Sequence, residues 1–213
     1  MDADPQLPAT IGAALVTQPR QPDHPIHSLF TDRWSPRAFT GEAIDTPGLL
    51  TLLEAARWAP SSYNAQPWRF VYAQRETTGW QPIFDSLDEF NQGWAQRAAA
   101  LVVFVSAEDA TFPGSSEPAP NPNHAFDTGA AWVSLAFQAT LSGWSTHGMA
   151  GFDADKLRAA IDLPRGYVIQ AVVAIGRRGD EGVLPRELQA RETPNNRRPL
   201  AQSATEGRFG REA

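Results

Sequence analysis

The chain has 213 residues, of which 42% are hydrophobic and 20% charged, with no cysteine and a formal net charge of −6. This length suits one domain with a substantial core, and the lack of cysteine excludes disulfides, thiolate metal sites and a cysteine nucleophile. The acidic balance argues against nucleic-acid binding, and without a basic leader or about 20 consecutive apolar residues we expect no membrane partner and a cytoplasmic location.

The first predicted helix begins at Thr46, which is interpreted as its N-cap. Pro47 suits the first helical position, and Pro60 ends the helix. The apolar side chains recur at helical spacing, which predicts one buried face. That face comprises Leu49, Leu50, Leu53 and Ala56.

Two more helices are predicted in the second half of the chain. Residues 127–142 keep apolar side chains three and four apart, and Gly143 stands where a C-terminal cap is expected. A short helix is predicted over residues 153–161, with Asp153 as its N-cap.

Three segments are typical of strands. Residues 69–74 alternate polar and apolar side chains, whereas residues 99–106 and 168–175 are continuous apolar runs, as in strands covered on both faces. Residues 109–122 are rich in proline and serine and predict a surface loop. The irregular alternation of strands and helices predicts a sheet flanked by helices.

The domain organisation follows from composition. Residues 1–25 are proline-rich and are interpreted as an N-terminal arm, residues 26–200 as the folded domain, and residues 201–213 as a polar tail.

Several common cofactor and catalytic motifs are missing from the sequence. There is no G-x-G-x-x-G, no Walker A sequence and no G-x-S-x-G elbow. His24 and His27 lie in a proline-rich segment without nearby carboxylates, so we predict no metal site. Lys156 is the only lysine among 18 basic residues, so any cationic side chain that binds an anion is expected to be arginine.

The segment Arg33–Phe39 (RWSPRAF) places two arginines four residues apart around a serine. Guanidinium groups bind phosphate bidentately, and Ser-Pro favours a turn, so Arg33 and Arg37 are candidates to converge on one phosphate. The alternative is a surface turn whose arginines pair with Asp32 or Glu42.

Residues 59–70 (APSSYNAQPWRF) form a loop between prolines that offers two hydroxyls and two amides. These groups suit the edges of a planar heterocycle. The alternative is a turn whose side chains satisfy their own backbone. The candidate residues are Pro60, Ser61, Ser62, Asn64 and Gln66. A third segment, 195–200, is by itself a solvated basic patch.

Four motifs follow one another along the chain: R-x-S-x-R-x-F, A-R-x-A-P-S-S-x-N-x-Q-P-W-x-F, G-F-D and R-R-P-L. In this order they resemble the FMN-dependent nitroreductase family. The motifs lie at Arg33–Phe39, Ala56–Phe70, Gly151–Asp153 and Arg197–Leu200, so the resemblance covers about residues 28–200. It implies an α+β, three-layer sandwich, in which a mixed, mainly antiparallel sheet is flanked by helices. It also implies a homodimer with FMN at the subunit interface.

The resemblance implies a phosphate site and a ring site. Arg33, Trp34 and Ser35, together with Arg197 or Arg198, match the part of the family pattern that holds the FMN phosphate.

At the ring, Arg37 matches a basic position near the pyrimidine edge, where a cation stabilises the reduced flavin. Asn91 matches an asparagine at the same edge, with a helix-terminal asparagine as the alternative. Ala150 and Gly151 match backbone beside flavin N5, and the loop residues of 59–70 match the lining of the ribityl chain and ring.

The implied activity is hydride transfer from NADPH or NADH through FMN to a nitroaromatic, quinone or activated alkene in a ping-pong cycle, with no catalytic side chain assigned. Candidate aromatic walls are Trp94, Phe112 and Phe126. The loop 107–124 is shorter than the corresponding excursion in some family members. The alternatives are other flavin chemistry of the family (dehalogenation, flavin fragmentation, dehydrogenation) and a non-catalytic flavin-binding or storage protein.

Overall fold

The structure, a computed structural model, describes residues 20–210. Residues 1–19 of the predicted arm and residues 211–213 of the predicted tail lie outside the described residues. Six strands occur in the described part of the chain. They are β1 (Trp68–Gln74), β2 (Ala100–Ala107), β3 (Asp109–Ala110), β4 (Ala119–Pro120), β5 (Ser145–Met149) and β6 (Tyr167–Gly176).

The central sheet has the order β1-β2-β6-β5, and each neighbouring pair is antiparallel. The predicted strands at 69–74, 99–106 and 168–175 are confirmed as β1, β2 and β6. The sequence did not predict β5, whose polar residues and glycine give no apolar run. The α+β class is confirmed. The resemblance implies a mixed, mainly antiparallel sheet. Within residues 20–210, every pair of neighbouring strands in this sheet is antiparallel, and no parallel pair occurs.

Helices cover both faces of the sheet. They are α1 (Leu29–Asp32), α2 (Thr46–Arg57), α3 (Trp80–Phe84), α4 (Glu89–Ala95), α5 (His124–Leu141), α6 (Ala154–Ala160) and α7 (Arg186–Gln189). Because successive side chains of a strand point to opposite faces, Leu101 and Val103 pack with α3, α4 and α6, whereas Val102 and Phe104 pack with α2 and α5. Two cores on one buried sheet make the three layers.

The start of α2 differs from the prediction by one residue. Asp45, not Thr46, is the N-cap: its extended backbone lets the carboxylate accept a hydrogen bond from Gly48 N at 2.9 Å, while Thr46 is already helical. The predicted apolar face was wrong at Leu50, which is 46% exposed; Leu52 is buried in its place because it turns toward α5.

The other helix signals agree with the structure. The C-terminal cap of α5 is followed by Gly143 at φ +73°, a left-handed conformation that suits glycine. The carboxylate of Asp153 caps α6 by accepting from the amides of Asp155 and Lys156. α5 begins at His124, three residues before the predicted start.

The predicted loop over 109–122 is largely exposed but contains the two-residue strands β3 and β4. Within residues 20–210, none of the helices combines the length and apolarity needed to cross a bilayer. In the same residues, no group of three or more His, Asp or Glu side chains is arranged to hold a metal ion.

Candidate functional site

A strongly charged concave surface is a cavity of about 410 Å³, within the size range of small-molecule sites. Five arginines line it, and no carboxylate of residues 20–210 does. The lining residues are Arg20, Arg33, Trp34, Ser35, Arg37, His147, Arg191, Thr193, Asn195 and Arg197. We call this surface the arginine cavity.

The wall that carries Arg33 and Arg37 is fixed by backbone contacts on both sides. Thr40 N donates to Arg177 O at 2.9 Å, and Gly179 N donates to Ala38 O at 2.7 Å, so the segment runs beside the chain that leaves β6. On the other side, the buried Glu192 carboxylate accepts from the amide of Arg37 at 2.6 Å.

Arg33, Ser35 and Arg197 meet at one end of the cavity. Arg33 Nη1 lies 3.4 Å from the Ser35 hydroxyl oxygen, to which it donates, and Arg197 donates to the backbone carbonyl of Asn196 at 3.2 Å. Burial lowers the pKa of Arg33, and the nearby Arg197 guanidinium lowers it further. Exposed Arg198 is not among the lining residues.

The surface-turn alternative for the two motif arginines is not what the structure contains. Glu42 pairs with Arg177 at 3.2 Å. Among the described residues, the ion pairs found do not include Arg33 or Arg37. The motif arginines therefore keep their donors for the cavity.

The other end of the cavity carries Arg37 and Arg191. The guanidinium carbon of each lies 5.9 Å from the ring centroid of Phe90. Burial lowers the pKa of Arg37, which Glu192 partly offsets. Arg37 Nε is buried and has no hydrogen-bond partner in the part of the chain that the structure describes, which leaves a donor unused there.

His147 of β5 lines the cavity but was not among the predicted binding residues. Its Nδ1 lies 3.1 Å from the carbonyl oxygen of Pro36, and its ring packs on Trp94 with 4.6 Å between centroids. Burial first, and then the charge of Arg37, lower the pKa of His147 to about 4. The neutral ring donates from Nδ1 to Pro36, which leaves Nε2 as an acceptor.

Asn91 and Gly151 are brought together by α4. Asn91 Nδ2 donates to Gly151 O at 3.0 Å, and Asn91 N donates to the N-cap carboxylate of Asp88 at 2.7 Å. A Cβ at position 151 would lie 2.0 Å from an Asp88 oxygen, so only glycine fits. Ala150, beside it, is exposed.

The loop over residues 60–66 is held in an irregular conformation. Tyr63, Asn64 and Gln66 all have positive φ, between 47° and 56°. The buried Asp127 of α5 accepts from Ser62 N at 3.0 Å, and the Ser61 hydroxyl accepts from Gln66 N at 3.0 Å. The Ser61 hydroxyl is therefore used within the loop and the Ser62 amide by α5, while Asn64 and Gln66 are exposed.

The candidate aromatic side chains have different surroundings. Trp94 belongs to the core, Phe126 is 82% exposed, and Phe112 contacts Tyr63 of the loop with 5.6 Å between ring centroids.

Sheet register places the loop far from the arginine cavity within one chain. The loop leads into Trp68 at the start of β1. His147 in β5 pairs with Ala174 in β6, which pairs with Leu101 in β2, which in turn pairs with Ala73 in β1. His147 therefore lies at the same height in the sheet as Ala73. Three strand spacings across the sheet and five residues along it separate these positions by on the order of 20 Å. The predicted residues at the cavity and those of the loop therefore form two separate groups. Asn91, Ala150 and Gly151 belong to neither, and Ala150 and Gly151 line a second concave surface together with Asp88.

Several cavity residues were not found from the sequence. They are Arg20, His147, Arg191 and Thr193; Asn195 lay in a segment that the sequence did single out. Arg20 lies in the proline-rich region, and the others belong to no recognised motif. Only long-range folding brings them to the site.

The chain matches the model of the nitroreductase family over residues 30–78 and 74–177. A solved structure described as an oxidoreductase containing FMN is 46% identical, with a TM-score of 0.87 over 91% of this chain and 97% of that chain. A Thermus thermophilus NADH dehydrogenase is 27% identical over 70% of this chain and 85% of its own length. A Streptomyces coelicolor protein, provisionally named NADH dehydrogenase/NAD(P)H nitroreductase, is 35% identical over 51% of this chain. That match spans only 45% of the relative.

Proposed function

Because this chain belongs to the nitroreductase family, we propose that it is an FMN-dependent enzyme that takes hydride from NADH or NADPH and passes it to a nitroaromatic, quinone or activated alkene. The observation that carries this proposal is a cavity lined by five arginines and, within the described part of the chain, by no carboxylate. Bound FMN supplies the hydride chemistry, which the side chains cannot supply themselves, while the protein binds and tunes it. The cytoplasm, where both nucleotides occur, suits this activity.

The phosphate end of the cavity consists of Arg33, Ser35 and Arg197. An uncompensated group of guanidinium ions is costly to bury, and a phosphate dianion removes that cost through charge-assisted hydrogen bonds. The lowered pKa of Arg33, caused by burial and by Arg197, supports this assignment. Arg197 rather than Arg198 is proposed for the phosphate because Arg197 lines the cavity.

The ring end combines a cation with groups that orient it. Arg37 would stabilise negative charge at the pyrimidine edge of a reduced ring, and Glu192 fixes the backbone of Arg37. His147 is neutral at pH 7 and offers an acceptor to a hydroxyl of the ribityl chain. Gly151, where a side chain would collide with Asp88, lets the backbone pack closely against Asp88 and Asn91.

We propose that the complete site is shared by two copies of the chain. The loop residues Pro60 to Gln66 match the family's flavin-lining loop, yet they lie on the order of 20 Å from the arginine cavity of the same chain. A second copy can bring its loop to the cavity. The exposed apolar side chains of α5, Phe126 and Val133, support such self-association.

An absorbance experiment tests the proposal. The purified protein is incubated with FMN, desalted, scanned for flavin bands near about 370 and 450 nm, and then titrated anaerobically with NADH and with NADPH. We expect retained flavin that either nucleotide bleaches. Retained flavin that neither nucleotide bleaches would favour the storage alternative. A protein that retains no flavin would contradict the proposal.

A matched control distinguishes specific retention from trapped flavin. The variant carrying Arg33→Gln and Arg197→Gln keeps the fold's other contacts but loses two cavity cations, so it should leave the desalting column with little FMN. Equal retention by this variant and the natural chain would show that the arginine cavity is not the flavin site.

A further inference from the structure

Arg20 lines the arginine cavity, although it lies ten residues before the family match begins at residue 30. Its Nη1 donates to the carbonyl oxygens of Arg33 at 2.7 Å and Thr31 at 3.1 Å. Three residues later, the Asp23 carboxylate accepts from Leu200 N at 2.6 Å. Both contacts hold the segment before α1 against the two parts of the chain that carry the proposed phosphate ligands.

Arg20, Arg33 and Arg197 together form what we call the three-arginine cluster. Burial lowers the pKa of Arg20, and the charges of Arg197 and Arg33 lower it further, with Asp32 opposing them. Arg20 Nε is buried and has no hydrogen-bond partner among residues 20–210. The partly buried cations Arg20 and Arg33 and the exposed cation Arg197 repel each other, so the cluster favours an anion with several acceptor oxygens.

We propose that Arg20 is a third ligand of the FMN phosphate, beside Arg33 and Arg197. The inference rests on the proposed function. A phosphate monoester has three terminal oxygens, so three guanidinium groups give each oxygen a charged donor. The region before the family domain would then contribute directly to cofactor affinity, and FMN would tie residues 20–33 to the segment around Leu200.

Comparing FMN with riboflavin, which lacks the phosphate, tests this role. Arg20→Gln should weaken FMN binding by about 10-fold and leave riboflavin binding unchanged. Arg165→Gln is the matched control, because Arg165 is exposed and does not line the cavity. We expect it to change neither affinity. Arg20→Lys, which keeps the charge, should recover most of the FMN affinity.

A double variant separates a direct contact from an effect through Arg33. If Arg20 binds phosphate, adding Arg20→Gln to Arg33→Gln should weaken FMN binding again by several-fold. No further loss in that background would overturn the proposal, because Arg20 would then act only by holding the Arg33 backbone. Equal losses of FMN and riboflavin, or an effect no larger than that of Arg165→Gln, would overturn it too.

The two proposals fail differently. A natural chain that binds neither flavin would overturn the proposed function and this inference together. A natural chain that binds FMN, with affinity independent of Arg20, would overturn only the inference.

Discussion

Glu192 accepts a hydrogen bond of 2.6 Å from the backbone amide of Arg37, across 155 residues of sequence. The same oxygen accepts from Ala38 N at 2.7 Å, and the side chain is buried. Because the carboxylate binds two successive amides, it fixes the backbone on which the Arg37 guanidinium is mounted. The C-terminal segment thus shapes a motif near the other end of the chain.

Replacing Glu192 tests this coupling. Glu192→Ala leaves two amides without their acceptor, so we expect unfolding free energy to fall by about 2–4 kcal/mol and FMN affinity to fall with it. Urea denaturation and flavin titration measure the two effects. Glu187→Ala, at an exposed position, is the control. A Glu192→Ala protein as stable as that control would show that these hydrogen bonds carry no net stability.

The lowered pKa of His147 predicts that the stability of the protein depends on pH. Its pKa is about 4 when folded and about 6.5 when unfolded, so between these values the unfolded chain binds more protons. Stability contributed by His147 is therefore complete above about pH 6.5 and falls as pH decreases toward 4, by about 2–3 kcal/mol in all. His147→Asn should remove this part of the slope, whereas His24→Asn, at an exposed position, should keep it. Urea denaturation of the three proteins from pH 7.5 to 4.5 measures the slopes, and parallel slopes for His147→Asn and the natural chain would contradict the assignment.

The sequence was a good guide where a local pattern determines structure. The apolar runs that became β2 and the second half of β6 are buried on both faces, and Asp153 caps α6 as its position predicts. It was a poor guide to β5, where partners far along the chain stabilise a segment that has no strong preference of its own. Leu50 illustrates a smaller error, since helical spacing predicts a face but not how wide that face is.

The distinction between local patterns and long-range contacts also applies to the candidate site. The motif around Arg33 and Arg37 was visible because its residues are close together in sequence. Arg20, His147 and Arg191 reach the cavity from three separate regions, and no local signal marks a surface that only folding creates. The separation between the loop and the cavity is a property of sheet register, which was not available before the strands were paired.

The close surroundings of Gly151 predict that a side chain larger than that of glycine destabilises the protein at this position. Gly151→Ala would place a methyl group 2.0 Å from an Asp88 oxygen and 2.7 Å from Asn91 Nδ2, so the helix start and the Asn91 contact must shift. We expect a loss of about 1–3 kcal/mol in unfolding free energy and weaker FMN binding. Gly93 lies in α4, the helix that carries Asn91. A methyl group at this position meets no atom within 4 Å, so Gly93→Ala should stabilise the protein by about 0.5–1 kcal/mol. Thermal denaturation compares the pair, and equal shifts would show that the space at Gly151 relaxes freely.

The contact of Asp127 with Ser62 predicts how the proposed flavin-lining loop, residues 60–66, is held. Asp127→Ala removes the acceptor of the Ser62 amide at a buried position, so the loop should lose its defined shape and FMN should bind about tenfold more weakly. Asp127→Asn keeps an acceptor oxygen and should retain most of the affinity. Flavin titration of both variants measures this, and equal losses would mean that the charge matters rather than the hydrogen bond.

A mixed dimer tests whether two copies build one site. One copy carries Arg33→Gln and Arg197→Gln and so lacks two of the five cavity cations but keeps its loop; the other carries Asp127→Ala and keeps its cavity. If the loop of each chain completes the cavity of its partner, the mixed dimer has one site made only of intact parts. We therefore expect about one FMN per mixed dimer at the natural affinity, while each variant alone binds at least about tenfold more weakly. Differently tagged copies allow the mixed dimer to be purified and its flavin content read by absorbance. If a chain's own loop completed its own cavity, both sites of the mixed dimer would be defective and no affinity would return.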